Sequence, residues 1–319
     1  MTAYLIRRLL SVVPTIFGVT TLIFFILFLI PGDPVRVMLG QHGDPETRRR
    51  ITQELGLDKP ASVQYCMYMT RVFSGDLGTS YRSGEKVVDI LMDRMPATIL
   101  LAVSAMILSV VLGMTAGILA AVRQNQFMDF LIMILSLIGI STPVFWLGLV
   151  LILIFASIGF DGSAIIFGWL PVSGYGDPGW DRIRHLALPA ISLSAIGMGY
   201  IARMTRSSIL EVIRQDYIRT AAAKGLPTRL IVFRHALRNA LIPVVTVIGM
   251  NFAALLGGAV ATETVFAWPG IGKVIVDSIR QLDAPVVEGG VMIMALAFIL
   301  INVLVDILYM AIDPRIRLN

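Results

Sequence analysis

Long apolar stretches separated by short polar connections dominate this 319-residue chain. A transmembrane helix requires roughly 20 mainly apolar residues to cross ~30 Å of hydrocarbon. Six stretches meet this requirement, at residues 9–30, 97–122, 130–158, 186–205, 239–262 and 291–312. The pattern predicts an all-α polytopic membrane protein with six transmembrane helices. Pro189 and several Ser and Gly residues dilute the fourth stretch, and the third contains Ser141-Thr142-Pro143 near its middle.

The composition supports a membrane protein. Charged residues make up 15% of the chain, below the ~25% of soluble domains, and the mean hydropathy is +0.81. Arg7 and Arg8 precede the first apolar stretch, as in a signal peptide. That stretch is longer than the apolar region of a signal peptide, and Pro31-Gly32-Asp33-Pro34 follows it instead of a small-residue cleavage site. We therefore expect an uncleaved first transmembrane helix.

Lysine and arginine residues concentrate on one side of the predicted membrane helices. Residues 203–238 hold eight of them, and Arg123 with the two termini brings this side to thirteen, whereas the opposite short connections hold four. Cytoplasmic loops carry an excess of Lys and Arg. We therefore expect both termini and residues 203–238 to be cytoplasmic. These loops account for most of the net charge of +5, so nucleic-acid binding is not needed to explain it.

This orientation predicts the organisation of the chain. Residues 1–30 would form the cytoplasmic N-terminus and first transmembrane helix, and residues 31–95 a small extracytoplasmic insertion. Residues 96–312 would form a transmembrane core of five helices, followed by a cytoplasmic tail at 313–319. Within the insertion, residues after Pro45, after Pro60 and after Ser83 have helical signals. The lone cysteine of the chain, Cys66, lies there and is expected to be an unpaired small hydrophobe.

Catalytic and metal-binding patterns are sparse. Residues 270–273 (Gly-Ile-Gly-Lys) superficially resemble a phosphate loop, but Ala267 stands where its leading Gly belongs and Val274 where its Ser or Thr belongs. No cluster of Cys and His has the spacing of a metal site. The three histidines lie in three different predicted loops, at His42, His185 and His235. We expect no catalytic residue, cofactor or metal in this chain.

A few polar side chains lie inside the apolar stretches. Asn302 and Asp306 are four residues apart and share a face of the last predicted helix. A carboxylate inside a bilayer is a functional candidate by default, and the alternative is a structural hydrogen bond between helices. Asn251 in the fifth stretch has the same two interpretations, a polar pathway or a bond to a neighbouring helix.

A basic segment, "DYIRTAAAKGLPTRLIVFRHALRNALIP", occupies residues 216–243. The sequence from Ser208 to Lys224 predicts a helix with a smooth alanine face, and Gly225 can take the left-handed conformation that ends it. Thr228 is a candidate N-cap for a second helix that continues into the fifth stretch. A basic segment of this kind can lie on anionic lipid. The alanine-rich end and the abrupt Leu-Pro turn favour instead a helix end that inserts into a groove of a partner protein.

Two outer connections differ in character. Residues 159–185 are rich in Gly, Pro and Trp and predict an irregular connection along the membrane surface. Residues 263–290 include a short amphipathic helix, which indicates a lid or a re-entrant element. Its predicted apolar side consists of Val274, Ile275, Ser278 and Ile279.

The chain resembles the membrane-spanning subunits of ATP-binding-cassette importers, and specifically their dipeptide and oligopeptide permease branch. The resemblance extends over the whole chain and is specific because nine blocks occur in order. These are "LIRRLLSVVPTIFGV", "IPGDP", "LGLDKP", "GDLGTS", "MTRSSILEV", "DYIRTAAAKGLP", "HALRNALIPVV", "TETVFAWPGIGK" and "DPRIR". The fold that this resemblance implies is the six-helix type I importer architecture in a bacterial or archaeal cytoplasmic membrane.

The resemblance implies a coupling loop at residues 206–238 and an outer gate loop at 263–290. The residues implied to contact the ATPase are Arg219, Thr220, Ala221, Ala222, Ala223, Lys224, Gly225, Leu226 and Pro227. The candidate pathway or gate residues are Asn251, Glu263, Trp268, Pro269, Gly270, Asn302 and Asp306. The acidic residue that usually opens the coupling loop is replaced by Arg219 here, which removes the basis for any salt bridge expected from other importers.

The implied partners are a second homologous permease subunit, two ATPases that bind ATP and magnesium, and an extracytoplasmic binding protein. The implied substrates are dipeptides or short peptides, with glutathione and nickel complexes as alternatives. Two other classes remain open at this point. An intramembrane enzyme using Asp306 would need a second catalytic carboxylate, which no stretch supplies. A secondary transporter would work alone on an ion gradient.

Overall fold

The computed structural model describes residues 2–29, 35, 39, 44–54, 56–155, 170–227 and 230–312. Within these ranges the chain is helical, and its extended pairing is limited to isolated bridges such as the antiparallel one between Thr79 and Lys86. The helices of the first part are α1 Thr2–Leu29, α2 Pro45–Glu54, α3 Ala61–Phe73, α4 Val87–Val122, α5 Phe127–Ser141 and α6 Val144–Phe155. Those of the second part are α7 Trp180–Ile213, α8 Asp216–Ala223, a π-helical turn Ile231–Ala236, α9 Leu237–Val265, α10 Ile271–Arg280 and α11 Ala284–Ile312.

Several of these helices have the length and composition of membrane spans. Among the described residues three qualify individually: Val87–Val122, Trp180–Ile213 and Ala284–Val305. Two bent helix pairs also qualify if each is counted as one span, which makes up to five. The first predicted span lies in α1, whose apolar stretch Val12–Ile26 is shorter. The all-α membrane architecture is therefore confirmed, while the count of six helices and the outer insertion stay predictions.

The third predicted span, residues 130–158, is not one straight helix. Helices α5 and α6 meet at an angle of 114°, and Thr142 between them has an extended backbone with φ −88° and ψ 127°. Pro143 causes this break because its ring disfavours a helical conformation of the preceding residue and because it has no N–H to donate. The prediction of a single helix was wrong here, and its last residues, 156–158, lie outside the described residues.

Contacts divide the chain into two compact units, of which the first combines residues 1–98 with 269–300. Its apolar core joins the start of α4 to α10 and to the start of α11, and consists of Val87, Leu91, Ile271, Ile275, Val286 and Val287. The buried Asp283 accepts hydrogen bonds from Ser80 Oγ at 2.5 Å and from the Tyr81 N–H at 2.9 Å. The Ile271 N–H donates to Thr98 Oγ1 at 2.9 Å. Residues 263–290 were expected to contain a short amphipathic helix, and α10 confirms it.

The sequence predicted two features of the first unit incorrectly. The helical signal after Ser83 does not form a separate helix, because Val87 begins α4, which continues without a break to Val122. In α10, Ile275 and Ser278 are buried as expected, but Ile279 is 50% exposed. The apolar face of α10 is therefore narrower than the spacing indicated.

The second unit comprises residues 99–268 and 301–319. Two glycines of α4 allow close contact with α7, since a Cβ at Gly117 would lie 2.5 Å from the Ala202 carbonyl oxygen and one at Gly113 would lie 2.9 Å from that of Met198. Any side chain at these positions would force the helices apart, because small residues set how closely membrane helices approach. Helix α7 therefore packs closely against α4 around Met198 and Ala202, and its C-terminal end leads to the basic segment.

Candidate docking surface and pathway residues

Helix α8, Asp216–Ala223, has a buried face that fixes it to the second unit. Ile218 is 3% exposed and belongs to an apolar cluster with Val212, Ile231 and Ala240, and Ala221 on the same helix is 9% exposed. Leu226, after the helix, packs against the same cluster. Two side chains and one flanking leucine therefore hold this short helix in place.

The opposite face of α8 has few contacts within the chain. Its side chains are exposed. Seven of the residues that were predicted to contact the ATPase are among them: Arg219, Thr220, Ala222, Ala223, Lys224, Gly225 and Pro227. Arg219 lies 3.6 Å from Asp216, but both side chains are largely exposed, so this ion pair adds little stability. The exposed face combines a smooth alanine surface with two cations at its edges. We call this face, residues 219–227 without the buried Ala221 and the half-buried Leu226, the docking surface.

The end of α8 follows the sequence prediction. Gly225 has φ +78°, the left-handed conformation that favours glycine at a helix end. The N–H groups of Gly225 and Leu226 donate to the carbonyl oxygens of Ala222 and Ala221 at 2.9 and 3.4 Å. The predicted stop after Lys224 is confirmed, while the predicted N-cap, Thr228, lies outside the described residues.

The prediction of one helix from Ser208 to Lys224 was wrong. Helix α7 ends at Ile213 and α8 begins at Asp216, with Gln215 in an extended conformation between them (φ −75°, ψ 151°). After this break Ile218 and Ala221 are the buried residues of α8, and Ile218 lies in the apolar cluster. The Asn239 side-chain amide donates to Tyr217 Oη at 2.6 Å, so a hydrogen bond links α8 to the start of α9.

A buried ion pair that the sequence analysis missed ties α5 to α7. Asp129 is 2% exposed, and its two carboxylate oxygens accept from Arg206 Nε at 2.5 Å and Nη2 at 2.7 Å. The Asn125 N–H donates to the same carboxylate at 2.9 Å. Bidentate pairs of this kind are among the strong side-chain interactions. The signal available in the sequence was one acid, Asp129, at the start of an otherwise apolar stretch.

Glu263 and Trp268 are both buried completely, at 0% exposure. The Trp268 N–H donates to the Glu263 carbonyl oxygen at 2.9 Å, and the Trp268 ring meets Tyr175 edge-on with centroids 4.8 Å apart. The structure therefore brings these two gate candidates together inside the second unit. In the first unit, Pro269 is half-buried and Gly270 is the buried residue that precedes α10.

The structure describes the side chains of two of the three polar candidates inside the apolar helices. Asn251 is half-buried and donates to the Val247 carbonyl oxygen of its own helix at 2.8 Å. Asn302 is half-buried in α11. The side chain of Asp306 lies outside what the structure describes. The pathway role of these residues stays a prediction.

The helical architecture and its long apolar helices define a polytopic membrane protein. Residues 113–318 match the family described as "Binding-protein-dependent transport system inner membrane component", and residues 1–102 match the N-terminal family of such membrane components. Both matches together cover nearly the whole chain.

Individual relatives agree with the family. The chain is 43% identical to the dipeptide transport system permease protein DppB of Alkalihalophilus pseudofirmus, over 99% of this chain and 100% of that protein. It is 44% identical to the di/tripeptide transport system permease protein DppB of Pseudomonas aeruginosa, over 99% of both. It is 42% identical to the glutathione transport system permease protein GsiC of Escherichia coli, again over 99% of both.

The chain therefore belongs to the inner-membrane components of binding-protein-dependent transport systems. It is a membrane permease of the ATP-binding-cassette importer class. The resemblance to the dipeptide and oligopeptide permease branch is confirmed.

Proposed function

We propose that this permease forms, with a second homologous permease subunit, the pathway by which dipeptides or short peptides enter the cell. The proposed substrate is inferred from the relatives. Two relatives that align over nearly their full length are named for dipeptide or di/tripeptide transport. Glutathione is itself a short peptide, and a relative of similar identity is named for it. The family description, a binding-protein-dependent transport system, supports a further partner, and we infer that this binding protein is extracytoplasmic and delivers the substrate.

The observation that carries the proposed mechanism is the division of α8 into two faces. Ile218 anchors the helix in the apolar cluster and Ala221 is buried beside it, whereas Ala222, Ala223 and Lys224 are exposed. A small, smooth helix end flanked by cations suits insertion into a groove of a partner ATPase. Closure of two ATPases on ATP and magnesium then moves this helix, and the apolar cluster transmits the movement to α7 and α9.

Substitution of Ala223 by Trp tests the docking role. The bulky ring is exposed and leaves the fold of this chain intact, but it fills the space that the partner groove needs. In the reconstituted complex we expect peptide uptake to fall at least tenfold, with ATP hydrolysis no longer stimulated by the loaded binding protein. The matched control is Ala61→Trp, because Ala61 is also exposed and lies in α3. Uptake and coupling as in the wild type for Ala223→Trp would refute the docking role.

Gly225 is a less informative position for this test than the sequence indicates. A Cβ there would have no atom within 4 Å, but the backbone has φ +78°. A bulky side chain would therefore strain the backbone in addition to blocking a partner. Ala223 separates the two effects, because it lies in regular helix.

We infer that both termini and the docking surface are cytoplasmic and that α2 and α3 lie outside. The charge distribution of the connections supports this orientation. Cys66 provides a direct test, because it is the sole cysteine and is exposed. A membrane-impermeant maleimide should label it in spheroplasts with intact membranes. Labelling that appears solely after the membrane is disrupted would contradict this orientation.

A further inference from the structure

A small polar cavity lies in the first unit between α3, the turn at residues 76–81 and the beginning of α11. Its volume is about 40 Å³, enough for a water molecule or a group of similar size. Two of its lining residues have carboxyl groups, one has a guanidinium group and two are tyrosines: Asp76, Glu288, Arg71, Tyr68 and Tyr81. No sequence pattern indicated this combination, because the residues come from separate elements.

Tyr68 has an unsatisfied hydroxyl group in this cavity. The residue is 4% exposed, and its ring packs against Phe24 with centroids 5.5 Å apart. The hydroxyl oxygen is buried and has no hydrogen-bond partner among the residues that the structure describes. A buried hydroxyl without a partner is costly and rare in native proteins. The group therefore indicates a ligand or an ordered water molecule at this position.

Glu288 provides a carboxylate at the same cavity. It lies near the beginning of α11, inside a helix that is apolar enough to cross the membrane. Within the described part of the chain, its carboxylate forms no hydrogen bond and no ion pair shorter than 4 Å. Ionisable side chains in membrane helices are expensive and mark functional sites by default.

The tyrosines are hydrogen-bonding groups that stay neutral at physiological pH. Burial, together with the nearby Glu288 carboxylate, raises the pKa of Tyr81 to about 12. The same two causes raise the pKa of Tyr68. Each phenol therefore keeps its proton, and its oxygen can also accept a hydrogen bond.

The acceptor groups of the cavity wall favour a cation. Two carboxyl groups, those of Glu288 and Asp76, stand against one cation, Arg71, which is exposed. Asp76 already accepts the Gly78 N–H at 2.9 Å. Among the described residues, the acceptors that remain are therefore the Glu288 carboxylate and the two phenol oxygens, which together match the three N–H donors of a primary ammonium.

We propose that Glu288, Tyr68 and Tyr81 form a binding site for a primary ammonium group, and that the group it serves is the amino terminus of the peptide substrate. The second part rests on the proposed function. A larger cavity of about 740 Å³ shares Tyr81 and Glu288 with the small one; the rest of its lining is mainly apolar, as at Ile279 and Leu282, with polar side chains at Arg48 and Gln64 among others. Its volume lies in the range of small-molecule sites, so it has room for the remainder of a short peptide.

Thermal unfolding of the purified transporter complex in two salts tests the ammonium site without any transport. Methylammonium chloride should raise the Tm in a concentration-dependent manner, because its –NH₃⁺ group fits the cavity. Tetramethylammonium chloride has the same charge but no N–H donor and is too large, so it should not. An equal effect of the two salts would show a general salt effect and would overturn the site.

Two variants test whether the rise in Tm with methylammonium arises at this cavity. Glu288→Gln removes the charge and Tyr68→Phe removes the unsatisfied hydroxyl, and both should abolish the difference between the two salts. The matched controls are Glu85→Gln and Tyr200→Phe, because both residues are exposed and lie outside the cavity. A methylammonium effect that persists in Glu288→Gln would contradict the site, with a water molecule as the sole occupant of the cavity.

Uptake measurements test whether the site serves the substrate. Methylammonium should inhibit dipeptide uptake by the reconstituted complex, and Glu288→Gln should raise the inhibition constant about tenfold, the loss expected for one charge-assisted hydrogen bond. Binding of methylammonium without inhibition would overturn the assignment to the peptide amino terminus. A complex that binds methylammonium but imports no dipeptide would refute the proposed function and leave the ammonium site standing.

Discussion

Two short amphipathic helices of this permease, α8 (Asp216–Ala223) and α10 (Ile271–Arg280), differ in how they are held. Helix α10 buries Ile271, Gly272, Ile275 and Ser278, and the segments at its two ends accept or donate buried hydrogen bonds through Ile271 and Asp283. Helix α8 buries Ile218 and Ala221, and its Tyr217 Oη accepts an exposed hydrogen bond from the Asn239 side chain.

Contacts within the chain therefore fix α10, whereas they fix α8 on one of its faces only. Burial and satisfied polar groups fix α10 without help from a partner. Helix α8 is anchored on one face and leaves an alanine-rich face with flanking cations in solvent. We propose that a partner protein covers this exposed face, and the following substitutions test the comparison.

The largest effect is expected for Asp283→Ala, next to α10. The substitution leaves the Ser80 hydroxyl and the Tyr81 N–H without their acceptor, and a buried unsatisfied group costs about 1–3 kcal/mol. We expect destabilisation of about 3 kcal/mol, measured as a lower Tm of the purified protein in detergent. Asp277→Ala is the control, because Asp277 pairs with Lys273 at a partly exposed position. Equal Tm values for the two variants would show that the buried contact does not hold this segment.

A smaller effect is expected for Ala221→Leu on the buried face of α8. Overpacking a filled site costs about 1–3 kcal/mol, so the apolar cluster around Ile218 should loosen and hydrogen exchange in 216–227 should accelerate. Ala223→Leu places the same side chain on the docking surface, where a change of about 0.5 kcal/mol or less is expected. If both variants exchange at the same rate, the two faces of α8 are not distinct.

The smallest effect is expected for Gly225→Ala at the end of α8. The Cβ has free space, but φ is +78°, so the left-handed conformation costs about 1 kcal/mol. Gly257→Ala is the control, because Gly257 lies in α9 with no atom within 4 Å of the added Cβ and the substitution should stabilise the helix slightly. Thermal unfolding should therefore shift in opposite directions for the two variants, and shifts of the same sign would contradict this account.

Predictions from local patterns succeeded where the physical cause is local. Apolar stretches predicted the membrane helices, and Lys224-Gly225 predicted the end of α8. The predictions of helix boundaries were wrong where a single residue interrupts an otherwise helical pattern. The sequence from Ser208 to Lys224 has helical spacing throughout, yet the extended Gln215 interrupts it. Pro143 was noted within the third stretch, but a proline does not specify an angle, and 114° depends on what α5 and α6 pack against.

The sequence by itself determined the class of this protein, because long apolar stretches have one stable arrangement in a bilayer and nine ordered motifs are specific. The tertiary structure alone decided which polar groups meet. Asp129 and Arg206 are 77 residues apart, and Ser80 and Asp283 are 203 residues apart. Tyr68 and Glu288 come together at one cavity in the same way. Such contacts depend on the packing of whole helices, which no local pattern of residues specifies.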